Sequence, residues 1–155
     1  MSNGVFHTSM GMTKDIVVTP ADSGNKELIA DIAINISGTD GIVFNDSISS
    51  GKHIFSVFYK DQIVHENFVG HDINLVRLDE NANLEELENW MTWADPKGLI
   101  EPAPDGLTFM GGVNDMPEGN IGFFTANLEP GKYALISEVP NALSKNMLKT
   151  FVIPE

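Results

Sequence analysis

Leu128-Glu129-Pro130-Gly131-Lys132-Tyr133-Ala134-Leu135-Ile136-Ser137-Glu138-Val139-Pro140 is the stretch on which the fold is read. Proline presets φ at the first corner of a turn, and glycine accepts the positive φ of the second. The chain therefore reverses at Pro130-Gly131, and Tyr133 enters a sheet where its ring can close the bottom of a sandwich. The run 133–139 is rich in β-formers and is closed by Pro140.

Similar short runs lie on either side. Leu28, Ala30, Ile32, Ile34 and Ile36 alternate with Ile29, Asp31, Ala33 and Asn35, the period of a strand with one buried face. Residues 37–41 form a turn cluster. Further β-rich runs cover 42–44, 53–59, 73–78, 107–110, 121–128 and 147–153, most of them bounded by Gly, Pro, Asn or Asp. Short, regularly spaced strands with turn signals predict an all-β sandwich or barrel. One segment departs from this. Leu84, Leu87, Trp90 and Met91 fall at helical spacing, Asn83 is placed to cap them, and Glu86 completes a capping-box-like arrangement. Glu85, Glu86 and Glu88 lie toward the positive end of that helix, which is expected to end at Asp95-Pro96. A Pro-rich loop then runs to Pro104. The first 26 residues, with the single apolar run 15–20, read as a flexible arm or edge strand. Residues 27–155 read as one domain.

Size and composition agree with a single globular unit. The chain has 155 residues, 42% apolar and 20% charged, enough to bury a core without staples. It contains no cysteine, which excludes disulfides, thiolate metal sites, iron–sulfur clusters and cysteine nucleophiles. Nine basic residues against 22 acidic ones give a net charge of −13 and a pI near 4.5. That field repels phosphate backbones and anionic lipid, so neither nucleic acid nor an acidic membrane surface is expected as a partner. No stretch is apolar enough to span a bilayer. The first residues lack the basic and apolar regions of a signal peptide.

Two segments stand out together. The first is Gly70-His71-Asp72-Ile73-Asn74-Leu75-Val76-Arg77-Leu78, followed by the short helix. The second is the opening stretch, continued to Lys145-Asn146-Met147, with Gly111-Gly112-Val113 between the two. Over residues 28–153 the chain resembles the cupredoxin, or blue-copper-like, domains of exported bacterial proteins. In that family a His-Glu-Leu-x-Leu-Val-Arg-Leu strand carries one copper ligand. A Leu-x-Pro-Gly-x-Tyr turn leads to the cysteine ligand, and a histidine and a methionine follow. The resemblance implies a Greek-key β-sandwich with one short inserted helix, and a periplasmic or extracellular location. Carried over residue by residue, the first histidine falls on His71, the cysteine on Ser137, the second histidine on Ala142 and the methionine on Met147. A type 1 site needs two imidazoles, a thiolate and a weak axial thioether. An alcohol does not replace the thiolate, and no histidine follows His71. The reading is therefore a metal-free, non-enzymatic binding or accessory module with no cofactor, whose partner is a protein or a small ligand.

Other constellations carry alternatives. His7, Met10 and Met12 form an imidazole–thioether cluster that could capture copper as Cu(I), or Ag(I), against an incidental arm. His71 and Met147 could keep a residual soft-metal site or simply pack. His71 could also act as a general base in a reused pocket, although a lone histidine is one member of a catalytic set. His53 and His65, beside one predicted hairpin, are expected at the surface. Trp90 is expected in the core and Trp93 exposed. The pairs Glu85/Glu86 and Asp79/Glu80 face different directions. Ser137 lacks a Gly-x-Ser-x-Gly elbow, and Gly111-Gly112 lacks the phosphate-loop lysine.

Overall fold

The computed structural model describes residues 28–66, 69–93 and 102–155, together with Val17, Gly24 and Leu99. Among the described residues eight strands and one helix follow one another as β1 (Ile32–Ser37), β2 (Gly41–Phe44), β3 (Gly51–Tyr59), β4 (Ile73–Leu78), α1 (Leu84–Met91), β5 (Leu107–Val113), β6 (Ile121–Leu128), β7 (Gly131–Ile136) and β8 (Leu148–Ile153). They form two four-stranded sheets, ordered β2-β1-β3-β6 and β5-β4-β7-β8. All pairings are antiparallel except β1 with β3, so the chain is a two-sheet β-sandwich, as the strand pattern predicts, with the one short inserted helix that the resemblance implies.

The inner faces explain why these runs became strands. Alternate residues of β1, β3 and β6 (Ile34 and Ile36; Phe55, Val57 and Tyr59; Phe124, Ala126 and Leu128) are buried against Ile73, Leu75, Tyr133, Leu135, Phe151 and Ile153 of the second sheet. Ring pairs reinforce both layers. Phe55 stacks on Phe124 at 4.5 Å, Tyr133 stacks on Phe151 at 5.4 Å, and Phe44 meets Phe151 edge-on at 5.5 Å. Each fully buried side chain of this size is worth about 1.5–3 kcal/mol.

Tyr133 closes the end of the sandwich at the Pro130-Gly131 turn. Its hydroxyl donates to the Glu129 carbonyl at 2.7 Å and accepts from the Glu129 N–H at 3.0 Å. Arg77 on the neighbouring strand pairs with the Glu129 carboxylate at 2.7 Å. Gly112 is needed for a close approach: a Cβ there would run into the Ile73 carbonyl oxygen. It lies beside the register shift between β4 and β5 at Leu75/Val76.

Two expectations change. The first strand starts at Ile32, not at Leu28; Leu28 and Ile29 are 54% and 86% exposed. The cause is Asp31. Its backbone N–H donates to the Ile54 carbonyl at 3.1 Å, while its carboxylate takes the Ile54 N–H at 2.7 Å and the His53 ring at 2.8 Å. A side chain thus replaces the next ladder rung, and the apolar alternation upstream has no sheet to face. The helix ends at Met91, with Thr92 as its C-cap, ahead of Asp95-Pro96, which lies outside the described residues. The proposed arm strand at 15–20 also lies outside them, apart from Val17. Among the described residues no helix is long and apolar enough to cross a membrane.

The helix start follows the sequence. The Asn83 side chain accepts from the N–H groups of Glu85 and Glu86 at 2.9 and 3.3 Å, and Leu87 and Met91 turn inward. Asn83→Ala is expected to lower stability by about 1 kcal/mol, read in urea denaturation as a lower midpoint at unchanged slope.

Candidate functional site

The end of the sandwich opposite Tyr133 gathers the polar chemistry. His71 and Asp72 sit just before β4. Ser137 and Glu138 follow β7, Met147 precedes β8, and Ala142 lies on the loop between those two strands. The β3–β4 connection brings Asp61, Gln62 and His65, the β5–β6 connection brings Asn114 and Asp115, and the helix delivers Trp93.

Asp72 is the hub. It is 6% exposed, and a buried carboxylate requires compensating donors. The Ser137 hydroxyl donates to Asp72 Oδ1 at 2.7 Å, the Glu138 N–H to the same oxygen at 2.8 Å, and the Asn74 amide to Oδ2 at 2.7 Å. In return the Asp72 N–H donates to Ser137 Oγ at 3.2 Å. Burial raises the Asp72 pKa, against the opposing pull of those donors.

His71 is completely buried. Its Nε2 lies 2.8 Å from the Asp61 carbonyl oxygen and 3.2 Å from the Asp61 carboxylate. Its Nδ1 faces His65 Nε2 at 3.1 Å. Gln62 clamps the backbone around it, accepting from the His71 N–H at 2.8 Å and donating to the His71 and Met116 carbonyls at 3.0 Å each. A ring so enclosed does not suit a general base acting on a substrate.

The other carried-over positions are equally committed. Ala142, 1% exposed, presents a methyl group, and its carbonyl accepts from the Met147 N–H at 2.7 Å. Met147 is fully buried, and its carbonyl accepts from the Ser137 N–H at 3.0 Å. An imidazole with both nitrogens engaged, an alcohol bound to a carboxylate, a methyl group and a buried thioether do not fit a type 1 copper ion.

Beside this hub opens a cavity of about 270 Å³ lined by Trp93, Asp72, Asn114, Asp115, Glu138 and the Val69-Gly70 backbone segment. Trp93 is 60% exposed, as its position at the helix end predicts, whereas Trp90 packs against the core and meets Phe109 at 5.3 Å. Burial pushes the Glu138 carboxyl up to about 7, helped by the negative charges of Asp72 and Asp115. The Tyr59 hydroxyl, which donates to the Asn114 carbonyl at 2.9 Å, is also raised, by burial and then by the same two carboxylates.

The histidines depart from expectation. His65 is not a solvated surface residue but packs on His71, and burial, Lys145 and His71 together lower its pKa against the pull of Glu66 and Asp61. His53 is remote from it, bound to Asp31 and to the Ser49 carbonyl at 2.9 Å, so the two do not form a pair. His7, Met10 and Met12 lie outside the described residues. Glu138 left a trace in the sequence, an acid within the apolar run 133–139. Asp61 and Gln62 left none, because they reach His71 across a loop.

Comparison of the sequence with protein-family models and with curated proteins finds no match. Solved structures do share its fold. A dithionite-reduced auracyanin from the photosynthetic bacterium Roseiflexus castenholzii superposes with a TM-score of 0.53 at 14% identity, covering 79% of this chain and 95% of the other. Auracyanin B superposes at 0.50 with 13% identity, covering 86% and 96%. Both are cupredoxins. The likeness establishes the shell.

Glu138 gives a test of the site's electrostatics. Its folded pKa of about 7 stands above the ordinary 4.5. Its contribution is therefore complete below the unfolded value and is lost as pH rises through the folded one. Glu138→Gln is expected to raise the melting temperature relative to wild type at pH 8.5 and to leave it nearly unchanged at pH 4, in parallel thermal melts.

Proposed function

We propose that this chain is a cupredoxin-like binding or accessory module that performs no type 1 copper electron transfer and works in a periplasmic or extracellular setting. The observation that carries the reading is the 2.7 Å hydrogen bond from Ser137 to Asp72. The position matched to the thiolate holds an alcohol, and that alcohol serves a buried carboxylate. Its weak acidity and hard oxygen supply no copper–sulfur covalency.

Binding is assigned to the cavity at the same end. An exposed indole there provides a flat stacking surface. Three carboxylates and an amide around it suit a partner, small ligand or protein segment, that brings hydrogen-bond donors. Cupredoxins with solved structures share the shell, which supports the extracytoplasmic setting.

Cupric titration tests the loss of blue-copper chemistry. The expected result is no intense visible charge-transfer band and no submicromolar Cu(II) association in calorimetry. Tight 1:1 Cu(II) binding that disappears in Ser137→Ala would overturn the reading.

A further inference from the structure

The His65–His71 contact brings two imidazole donors face to face at this end. Its geometry is specific. The Asp61 carbonyl oxygen, 2.8 Å from His71 Nε2, can only accept, so His71 carries a proton on Nε2. In the neutral ring, Nδ1 then holds a lone pair, and that lone pair faces His65 Nε2 at 3.1 Å. The two ring centres are 5.4 Å apart, which exceeds the nitrogen separation by just the two ring radii. Both nitrogens therefore lie close to the line joining the rings. Donors of a tetrahedral ion converge at an angle, whereas these oppose each other, as in a linear ion or as a trans pair of a square-planar one. Among the described residues no group of three or more His, Cys, Asp or Glu is placed to hold a metal, so a four-coordinate protein site has no donors to complete it.

We propose that His71 Nδ1 and His65 Nε2 form a linear two-coordinate site for a monovalent d¹⁰ cation, Cu(I) or Ag(I). The ion takes the place of the hydrogen that the two nitrogens now share. Coordination requires no oxidation or reduction: the His65 proton leaves Nε2 for Nδ1 of the same ring, both lone pairs become donors, and the cation adds its single charge. With bonds of about 2.0 Å, the nitrogens must stand about 4 Å apart, so the rings separate by about 1 Å. His71 is fixed by Asp61 and Gln62, so the half-buried His65, on a loop, makes the movement.

The surroundings favour this ion class. The Asp61 carboxylate lies 3.2 Å from His71 Nε2 and is itself held by the Gly38 N–H at 2.8 Å. Such a carboxylate–histidine arrangement fixes the tautomer and strengthens the donor nitrogen. A ring with no solvent contact disfavours hydrated divalent ions that keep their water. Lys145, the nearby cation, is paired with Glu66 at 2.6 Å. This site differs from a type 1 centre in its second imidazole, which precedes His71 by six residues, and in needing neither Ser137 nor Met147. It is also independent of the soft cluster at His7, Met10 and Met12.

The test is an Ag(I) titration of the full chain, followed by calorimetry and by imidazole ¹⁵N resonances. One Ag(I) is expected to bind, with both His71 Nδ1 and His65 Nε2 shifting. Binding should persist in a variant carrying His7→Ala, Met10→Leu and Met12→Leu. It should be lost in His65→Ala, and should weaken about tenfold or more in Asp61→Asn. Retained affinity in His65→Ala, or loss of the bound ion with the arm residues alone, overturns the proposal. So does a saturated wild-type protein whose two ring nitrogens do not shift, a readout that needs no variant to fold. Because silver carries no visible band and the Cu(II) experiment reads Ser137, either proposal can fail without the other.

Discussion

A carboxylate has been taken out of water at the end of a β-sandwich, and much of the local structure answers to it. Asp72 stands where β4 begins, 6% exposed, and an unpaired charge in that position would cost several kcal/mol. Its three donors come from β4 itself and from the residues that end β7. The hydrogen bonds therefore extend the β4–β7 ladder beyond its last backbone pair, Asn74 with Ile136. They also explain why β7 stops at Ile136 although the apolar run continues to Val139: the Ser137 and Glu138 groups that face β4 bond a side chain instead.

The same constraint connects fold to function. In a shell shared with auracyanins, this end is organised by oxygen and imidazole chemistry. The alcohol holds the carboxylate, and burial, aided by that carboxylate and Asp115, raises the Glu138 pKa to about 7 at the wall of a cavity. The Glu138 carbonyl also accepts from the Trp93 N–H at 3.3 Å, so the helix end that presents the indole is tied to the same strand terminus. On the far side of His71, a second arrangement of Asp61, Gln62 and His65 closes the ring off from solvent. The two arrangements meet at the adjacent residues His71 and Asp72.

Legibility in the sequence followed the range of the interactions. Strands β4 and β6 coincide with the apolar runs 73–78 and 121–128, and α1 starts where Asn83 caps it. All of these rest on contacts or periodicities within a few residues. The start of β1 departs from the apolar alternation because Asp31 terminates the ladder through partners more than 20 residues away. Ser137 was identifiable as an alcohol in a notable position, but its partner was not, since Asp72 lies 65 residues upstream. The burial of His65 is not legible, because the turn that folds it back onto His71 has no sequence signature. The cupredoxin-like shell was visible from its Pro-Gly-x-Tyr turn and the strand after His71. The polar network at the opposite end required coordinates.

A double-mutant cycle on Ser137→Ala and Asp72→Ala, measured by urea denaturation, probes the central interaction most directly. If the alcohol is committed to the buried carboxylate, the two losses are strongly non-additive, with a coupling of about 1–3 kcal/mol. Losses that add to within about 0.5 kcal/mol would mean that the hydroxyl and the carboxylate act independently, and the account of this end of the molecule would be contradicted.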